Sequence, residues 1–350
     1  MISPWYPVGA DLLARDITLE VPLDWKNPDG TKISLYAREL IGAENFGRDL
    51  PLLLYLQGGP GGKSPRPLDR GGWIGSAVSR FRVILADQRG TGRSTPITVD
   101  SFEGLSPEAG ASLLACHRAD SIVEDFEALR HYLGSEKKWW TLGQSYGGFL
   151  TLHYLSRYPN AIEAAAITGG LPSLFPDVDT VYGRTFPRIR QKNTQFRARH
   201  PQLVDKIGKV ADHLAENEVR LPSGDRLTVR RLQLLGLDFG MGPGFDRVHM
   251  IFDEAWADES QRKLSDEFLY TVERATSFAT NPLFIALQGS IYGPGPSNWA
   301  AQRERARHAD FAEDHRPLNF TGETFFPWMF TEITLECSRF LGPGDLSVVH

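Results

Sequence analysis

The apolar run Trp139-Trp140-Thr141-Leu142 leads directly into Gly143-Gln144-Ser145-Tyr146-Gly147-Gly148. This reads as a strand that turns sharply into a helix, with a serine at the corner. Such an elbow lifts the hydroxyl off the backbone and presents it at the start of the helix. Glycines flank the serine because a side chain there would collide with the neighbouring strand and helix. Phe149, Leu152 and Leu155 continue with helical spacing, and Arg157-Tyr158-Pro159-Asn160 stops the helix, since proline cannot extend it. The bland reading is a small serine in a tight turn of an inert protein. The strand before it and the helix after it favour the chemical one, a nucleophile that forms an acyl-serine intermediate.

The surroundings supply the sheet that such an elbow needs. Leu52 to Leu56 is continuously apolar and ends in Gln57-Gly58-Gly59-Pro60-Gly61-Gly62. Residues 81–86 are apolar but for Arg82 and end in Asp87-Gln88-Arg89-Gly90. Runs of this kind suit strands buried on both faces. Residues 17–21 and 33–37 flank the turn sequence Asn27-Pro28-Asp29-Gly30, which predicts two strands joined through a turn. Ile122, Phe126, Leu129 and Leu133 predict an amphipathic helix over 120–133, and 161–168 is a further apolar segment closed by Gly169-Gly170. The alternation predicts an α/β fold with a mainly parallel sheet.

The pattern changes near Leu171. From there to about Ala306 it is mostly helical, with a clear stripe at Leu203, Ile207, Val210 and Leu214 and a turn at Pro222-Ser223-Gly224-Asp225. The expected organisation is a core over 1–170, an inserted helical cap over 171–306 that roofs the site and selects substrates, and a return to the core over 307–350.

Composition narrows the function. A net charge of -5 gives no basic stripe, so no nucleic-acid partner is expected. Two cysteines, Cys116 and Cys337, make no disulfide framework and point to a cytoplasmic setting. The amino terminus has no basic region followed by an apolar stretch, and no apolar run approaches the ~20 residues of a membrane span. No histidine or cysteine spacing suggests a metal, and no cofactor is expected. Nothing in the sequence sets the oligomeric state.

Ser145 is the expected nucleophile. A tetrahedral oxyanion needs two backbone donors. One is expected from the amide of Tyr146 at the helix start, the other from the Gly58-Gly59 turn, where glycine lets the backbone approach a ligand. A rival of a different class shares that turn. Residues 57–64 read Gln-Gly-Gly-Pro-Gly-Gly-Lys-Ser, one residue short of the nucleotide-binding Gly-x-x-x-x-Gly-Lys-Ser. Gln57 in place of the first glycine, and Pro65 and Pro67 after Lys63, weigh against it. Asp87 precedes the nucleophile, whereas the elbow's acid follows it in the chain. Its expected role is to tie a loop, through hydrogen bonds or an ion pair with Arg89.

Three ordered motifs, Leu56-Gln57-Gly58-Gly59-Pro60-Gly61, Asp87-Gln88-Arg89-Gly90-Thr91-Gly92-Arg93-Ser94 and the elbow itself, resemble the proline iminopeptidase (prolyl aminopeptidase) family. The likeness is to its larger-subunit branch, in which glutamine replaces the histidine of His-Gly-Gly-Pro-Gly. It continues through Arg118-Ala119-Asp120-Ser121-Ile122-Val123, Leu221-Pro222-Ser223-Gly224, Ser297-Asn298-Trp299-Ala300-Ala301 and Phe320-Thr321-Gly322-Glu323, over about residues 10 to 332. The resemblance implies an α/β-hydrolase with a helical cap that releases amino-terminal proline from peptides, Ser145 attacking the first carbonyl. It also implies a carboxylate for the charged imino group. The branch places one near Gln288-Gly289, where this chain has none; Glu254, Asp258 and Glu259 lie elsewhere in the cap. Another α/β-hydrolase activity, esterase or amidase, stays open.

The triad of this fold runs Ser, then Asp or Glu, then His. The strands and helices that would carry the last two need roughly 60 residues, whereas 44 follow Ala306 in a chain of 350. The likeness fades after about Thr331. The expectation is a shortened chain with an unrelated tail, lacking the acid and base. Of the late histidines, His350 ends the chain, and His308 and His315 sit in polar stretches that read as a cap edge.

Overall fold

The apolar runs become the middle of a seven-stranded sheet in a computed structural model that describes residues 1–333. The strands are β1 (Tyr6–Val8), β2 (Leu12–Pro22), β3 (Lys32–Gly42), β4 (Leu52–Leu56), β5 (Arg82–Ala86), β6 (Trp139–Gln144) and β7 (Ile162–Thr168). Their order is β1-β2-β3-β5-β4-β6-β7. The pairs from β1 through β3 to β5 are antiparallel; β5, β4, β6 and β7 run parallel. The first turn is flanked by strands much longer than the pattern indicates, paired from Leu12↔Gly42 to Pro22↔Lys32. All five residues of β4 are buried. On one face Leu53, Tyr55, Val83 and Leu85 pack against Ile74, Ala77 and Val78 of helix α1 (Trp73–Val78).

The chain then adds α2 (Pro107–Ala115), α3 (Ala119–Leu133) and α4 (Tyr146–Arg157). Successive strands β4 and β5 lie side by side, and the next, β6, crosses back to the other flank of β4. Chain direction across the sheet thus reverses at β4. Loops leaving the carboxyl ends of strands at such a point form a crevice where ligands bind in open α/β sheets. The two loops here are the glycine-rich turn after β4 and the elbow after β6.

Two buried networks fix these elements. Arg89 and Asp125 are both fully buried, and the guanidinium uses all five of its N–H groups. Nε and Nη2 donate to Asp125 at 2.7 and 2.6 Å, Nη1 to the carbonyls of Leu23 and Cys116, and Nη2 also to that of Pro22. The indole of Trp25 donates to the same carboxylate at 2.9 Å. The end of β2, the α2–α3 connection and α3 are thereby tied to the loop after β5. In the second network, Trp139 Nε1 donates to the Tyr154 hydroxyl at 3.0 Å, and that hydroxyl donates to Glu127 at 2.7 Å. Arg130 pairs with Glu127 at 2.6 Å, so β6, α3 and α4 share one junction.

His117, between α2 and α3, is 2% exposed, and its Nδ1 donates to the Leu113 carbonyl at 2.8 Å. Burial, aided by the Arg89 charge, pushes its imidazole down to about 4. The unfolded chain therefore takes up this proton near pH 6.5 and the folded chain only near 4. The contribution is fully present above about pH 6.5 and is lost as pH falls toward 4, amounting to about 2 kcal/mol between pH 7 and 5. Thermal melts at those two pH values should show a smaller loss in His117→Gln than in the parent chain. Equal losses would remove His117 as the cause.

The chain folds into two compact units. The first comprises Met1–Ser101, Glu108–Leu174 and Asn281–Gln288; the second comprises Phe102–Pro107, Phe175–Thr280 and the described residues from Gly289 onward. The second holds α5 (Val178–Arg199), α6 (Leu203–Glu216), α7 (Val229–Gln233), α8 (Gly244–Asp253) and α9 (Asp266–Thr276). Asp177 caps α5 by accepting from the amides of Asp179 and Thr180. The stripe Leu203, Ile207, Val210 and Leu214 is buried in a core with Phe196, Leu232, Phe252 and Phe268.

Two segments depart from the expected organisation. Helix α10 (Pro282–Leu287), expected in the cap, belongs to the sheet unit. The expected return to the core at 307 does not occur in the described residues, because Leu318 and Phe320 complete the helical core. Asn193 fixes that strap by donating to the Phe320 carbonyl at 2.9 Å and accepting from its amide at 2.8 Å. The tail after residue 333, with Cys337 and His350, lies outside the described residues. Among those described, no helix is long and apolar enough to cross a membrane.

Candidate active site

Ser145 occupies the corner between β6 and α4 with φ +57° and ψ −121°, a backbone conformation that L residues rarely adopt. Its carbonyl accepts from the Gly148 amide at 2.8 Å, closing the turn. The flanking glycines answer to space. A Cβ on Gly147 would lie 1.8 Å from the Leu56 carbonyl oxygen, and one on Gly143 would lie 2.4 Å from that of Gly147. The elbow is thus pressed against the end of β4, a placement that any side chain at either position would break. Strain of this kind persists only where the surroundings over-determine it, and it clusters at functional sites.

That contact brings the turn after β4 beside the nucleophile. A Cβ on Gly58 would lie 3.0 Å from Ser145 Cβ and 3.5 Å from its Oγ. Gly59 points elsewhere: its Cβ would meet the amides of Gly61 and Gly62 at 2.8 Å. The two glycines, adjacent in one motif, therefore have distinct surroundings, and Gly58 is the one facing the serine. Among the described residues no backbone acceptor takes the amide of Gly58, Gly59 or Tyr146. Burial pushes the Tyr146 phenol up.

The glycine-rich turn is braced from the loop after β5. Asp87 is fully buried and accepts from the Ser64 amide at 3.0 Å, the Arg93 amide at 2.9 Å and Arg66 Nη2 at 2.5 Å. It ties loops, as expected, but its ion partner is Arg66; Arg89 is committed to Asp125. Gln88 Nε2 donates to the Gln57 carbonyl at 2.7 Å. On another side, a Cβ on Gly61 would meet Asn281 Oδ1 and Leu283 Cβ, each at 2.6 Å. Sequence reasoning missed Arg66, Gln88 and α10, since only tertiary approach reveals them.

The nucleotide-binding alternative lacks its context. No helix begins at Lys63, the next being α1 at Trp73, and Ser64 Oγ is engaged by the Ala86 carbonyl at 2.6 Å. Among the described residues no group of three or more His, Cys, Asp or Glu could hold a metal. None of the described histidines bonds to Ser145 Oγ. His308 contacts Arg190 and Glu304, and His315 donates to the Pro317 carbonyl. Asp258 accepts from Ser260, within a turn of its own. The site thus presents the Ser145 side chain at the start of a helix with Gly58 of the glycine-rich turn packed beside it.

Comparison with known proteins bears on the fold and the family. A family model described as "alpha/beta hydrolase fold" matches residues 51–223. A proline iminopeptidase of Aeromonas sobria is 43% identical over 335 residues, 95% of this chain and 78% of that one. A proline iminopeptidase of Aspergillus aculeatus is 32% identical over 89% of this chain and 71% of its own length. A probable proline iminopeptidase of Streptomyces coelicolor is 32% identical over 35% of this chain and 38% of its own. With likeness of that extent added to the elbow and its glycine turn, the chain belongs to the proline iminopeptidase family of α/β-hydrolases.

Proposed function

We propose that this chain is a serine aminopeptidase that releases proline from the amino terminus of peptides through an acyl-enzyme on Ser145. The observation that carries the reading is Ser145 held at φ +57° at the start of α4 with Gly58 against it. Ser145 Oγ attacks the first peptide carbonyl. The amide of Tyr146 and one from the Gly58-Gly59 turn receive the oxyanion, the peptide amine leaves with a proton, and water resolves the prolyl ester. No general base or acid is assigned among the described residues, whose histidines do not bond to Ser145 Oγ. The helical unit selects the substrate, and the cytoplasm is the place of action. The names of the Aeromonas and Aspergillus relatives support the choice of proline.

The test is discrimination among substrates. A proline arylamide should exceed its N-acetylated form by at least ~100-fold in kcat/KM, because a site that pairs with a charged imino group leaves buried polar atoms unmatched when that charge is capped. Faster turnover of short acyl esters, with no preference for the free imino group, would replace this reading by the esterase one.

A further inference from the structure

The turn that leaves β7 reaches back to the corner between β6 and α4. Gly169 and Gly170 form it, both at φ +76°, and the Gly170 backbone lies directly against Ser145. A Cβ on Gly170 would fall 1.6 Å from the Ser145 carbonyl oxygen and 2.8 Å from its Cα. From the other side, a Cβ on Gly148 would meet the carbonyl oxygens of Gly170 and Gly169 at 2.4 and 2.8 Å. The last residue of β7 grips the same corner. The Thr168 carbonyl accepts from the Ser145 amide at 3.5 Å, and the Thr168 hydroxyl donates to the Gly143 carbonyl at 3.3 Å.

The elbow is therefore held between two backbones. The Leu56 carbonyl closes on Gly147, while Gly170 closes on Ser145 and Gly148. A serine at φ +57° persists only where its surroundings hold it there. The β4 contact falls two residues past the nucleophile, whereas the Gly170 contact falls on the nucleophile itself. The Ser145 carbonyl that Gly170 faces is also the acceptor that closes the turn, from the Gly148 amide at 2.8 Å. Anything that displaces this carbonyl moves the residue that carries the reacting hydroxyl.

Gly169 supplies the contrast. Its φ equals that of Gly170, so an alanine at either position meets similar backbone strain. At Gly169, however, the added methyl would have no neighbouring atom within 4 Å. The two positions differ in collision with the elbow and not in conformation.

We propose that Gly170 is a positioning residue for acyl transfer: by lacking a side chain it lets the turn after β7 seat the Ser145 backbone, and so fixes where the hydroxyl stands. The inference rests on the acyl-serine reading. A side chain at Gly170 must push the Ser145 carbonyl away by about 1 Å or more, and a misplacement of that size can cost about 10²-fold in rate. Contacts with the substrate made elsewhere are untouched, so the loss falls on kcat and not on KM.

Gly170→Ala and Gly169→Ala, made in the full chain, test this with three readouts: kcat and KM on a proline arylamide, the rate of Ser145 phosphonylation by a fluorophosphonate, and the melting temperature. Both variants should melt below the parent. Gly169→Ala should keep kcat within about threefold, while Gly170→Ala loses kcat and phosphonylation together by about 100-fold with KM held. If Gly170→Ala does not fold, Gly148→Ala decides in its place. It presses on the same seat from the helix side, where alanine is favoured over glycine, and should lose at least about tenfold in both rates. Rates in Gly170→Ala less than about tenfold below those of Gly169→Ala overturn the proposal, because strain in the turn then accounts for them. So does failure of both Gly170→Ala and Gly148→Ala to fold, which marks a contact that serves stability alone. A parent chain that is phosphonylated while the variants are unaffected sinks this inference alone. A parent chain that is not phosphonylated at Ser145 sinks the acyl-serine reading with it.

Discussion

Ser145→Ala should leave the fold in place and remove acyl transfer, with kcat down by about 10⁴–10⁶-fold, as when the nucleophile of other serine hydrolases is deleted. The two halves of this expectation have separate causes. Turnover falls because no other hydroxyl occupies the corner between β6 and α4. Stability holds because the side-chain oxygen of Ser145 has no hydrogen-bond partner among the described residues, and alanine is no larger at φ +57°. Ser145→Gly should go further, gaining roughly 1 kcal/mol by relieving a conformation that costs an L residue about that much. Mass spectrometry after fluorophosphonate treatment, with melting curves on the same samples, checks both halves. A labelled Ser145→Ala protein would show that the nucleophile lies elsewhere.

Asp125→Ala should be the most damaging of these substitutions to the fold, costing about 3–5 kcal/mol. Arg89 would be left fully buried with three carbonyls and no counter-charge, and a buried unpaired charge is far more costly than the pair was worth. Urea unfolding would register the change as a lower midpoint. Pairing Arg89→Met with Asp125→Leu should recover only part of the loss. The carbonyls of Pro22, Leu23 and Cys116 would then lose their shared donor, whereas simpler buried pairs are often replaced at no net cost. Full recovery in the double variant would mean that those three carbonyls find other donors.

How much of this was legible beforehand follows from which forces write themselves into local sequence. The parallel strands were, because a strand buried on both faces must be apolar throughout, as Leu52–Leu56 is. The elbow was, because close approach admits only glycine at Gly143 and Gly147. The full lengths of β2 and β3 were not: Arg15, Glu20, Arg38 and Glu39 interrupt the apolar pattern, and two of these, Arg15 and Glu39, are neutralised by pairing with each other. Nor could sequence assign α10 to the sheet unit or show that Gly58 packs against Ser145, since those are matters of where distant segments meet. The order of the triad placed no acid or base within the described residues, and the structure brings none of their histidines to the serine.

The junction of Trp139, Tyr154 and Glu127 has a mechanical meaning for the serine at the other end of the same helix. Nine residues separate Tyr154 from Ser145, which at 1.5 Å per residue is a lever of about 14 Å. A tilt of only ~4° about the Tyr154 end would carry the nucleophile about 1 Å, and a displacement of that size can cost 10²-fold in rate. Tolerance at the reacting oxygen is therefore set from the far end of the helix, by three side chains that do not bond to Ser145.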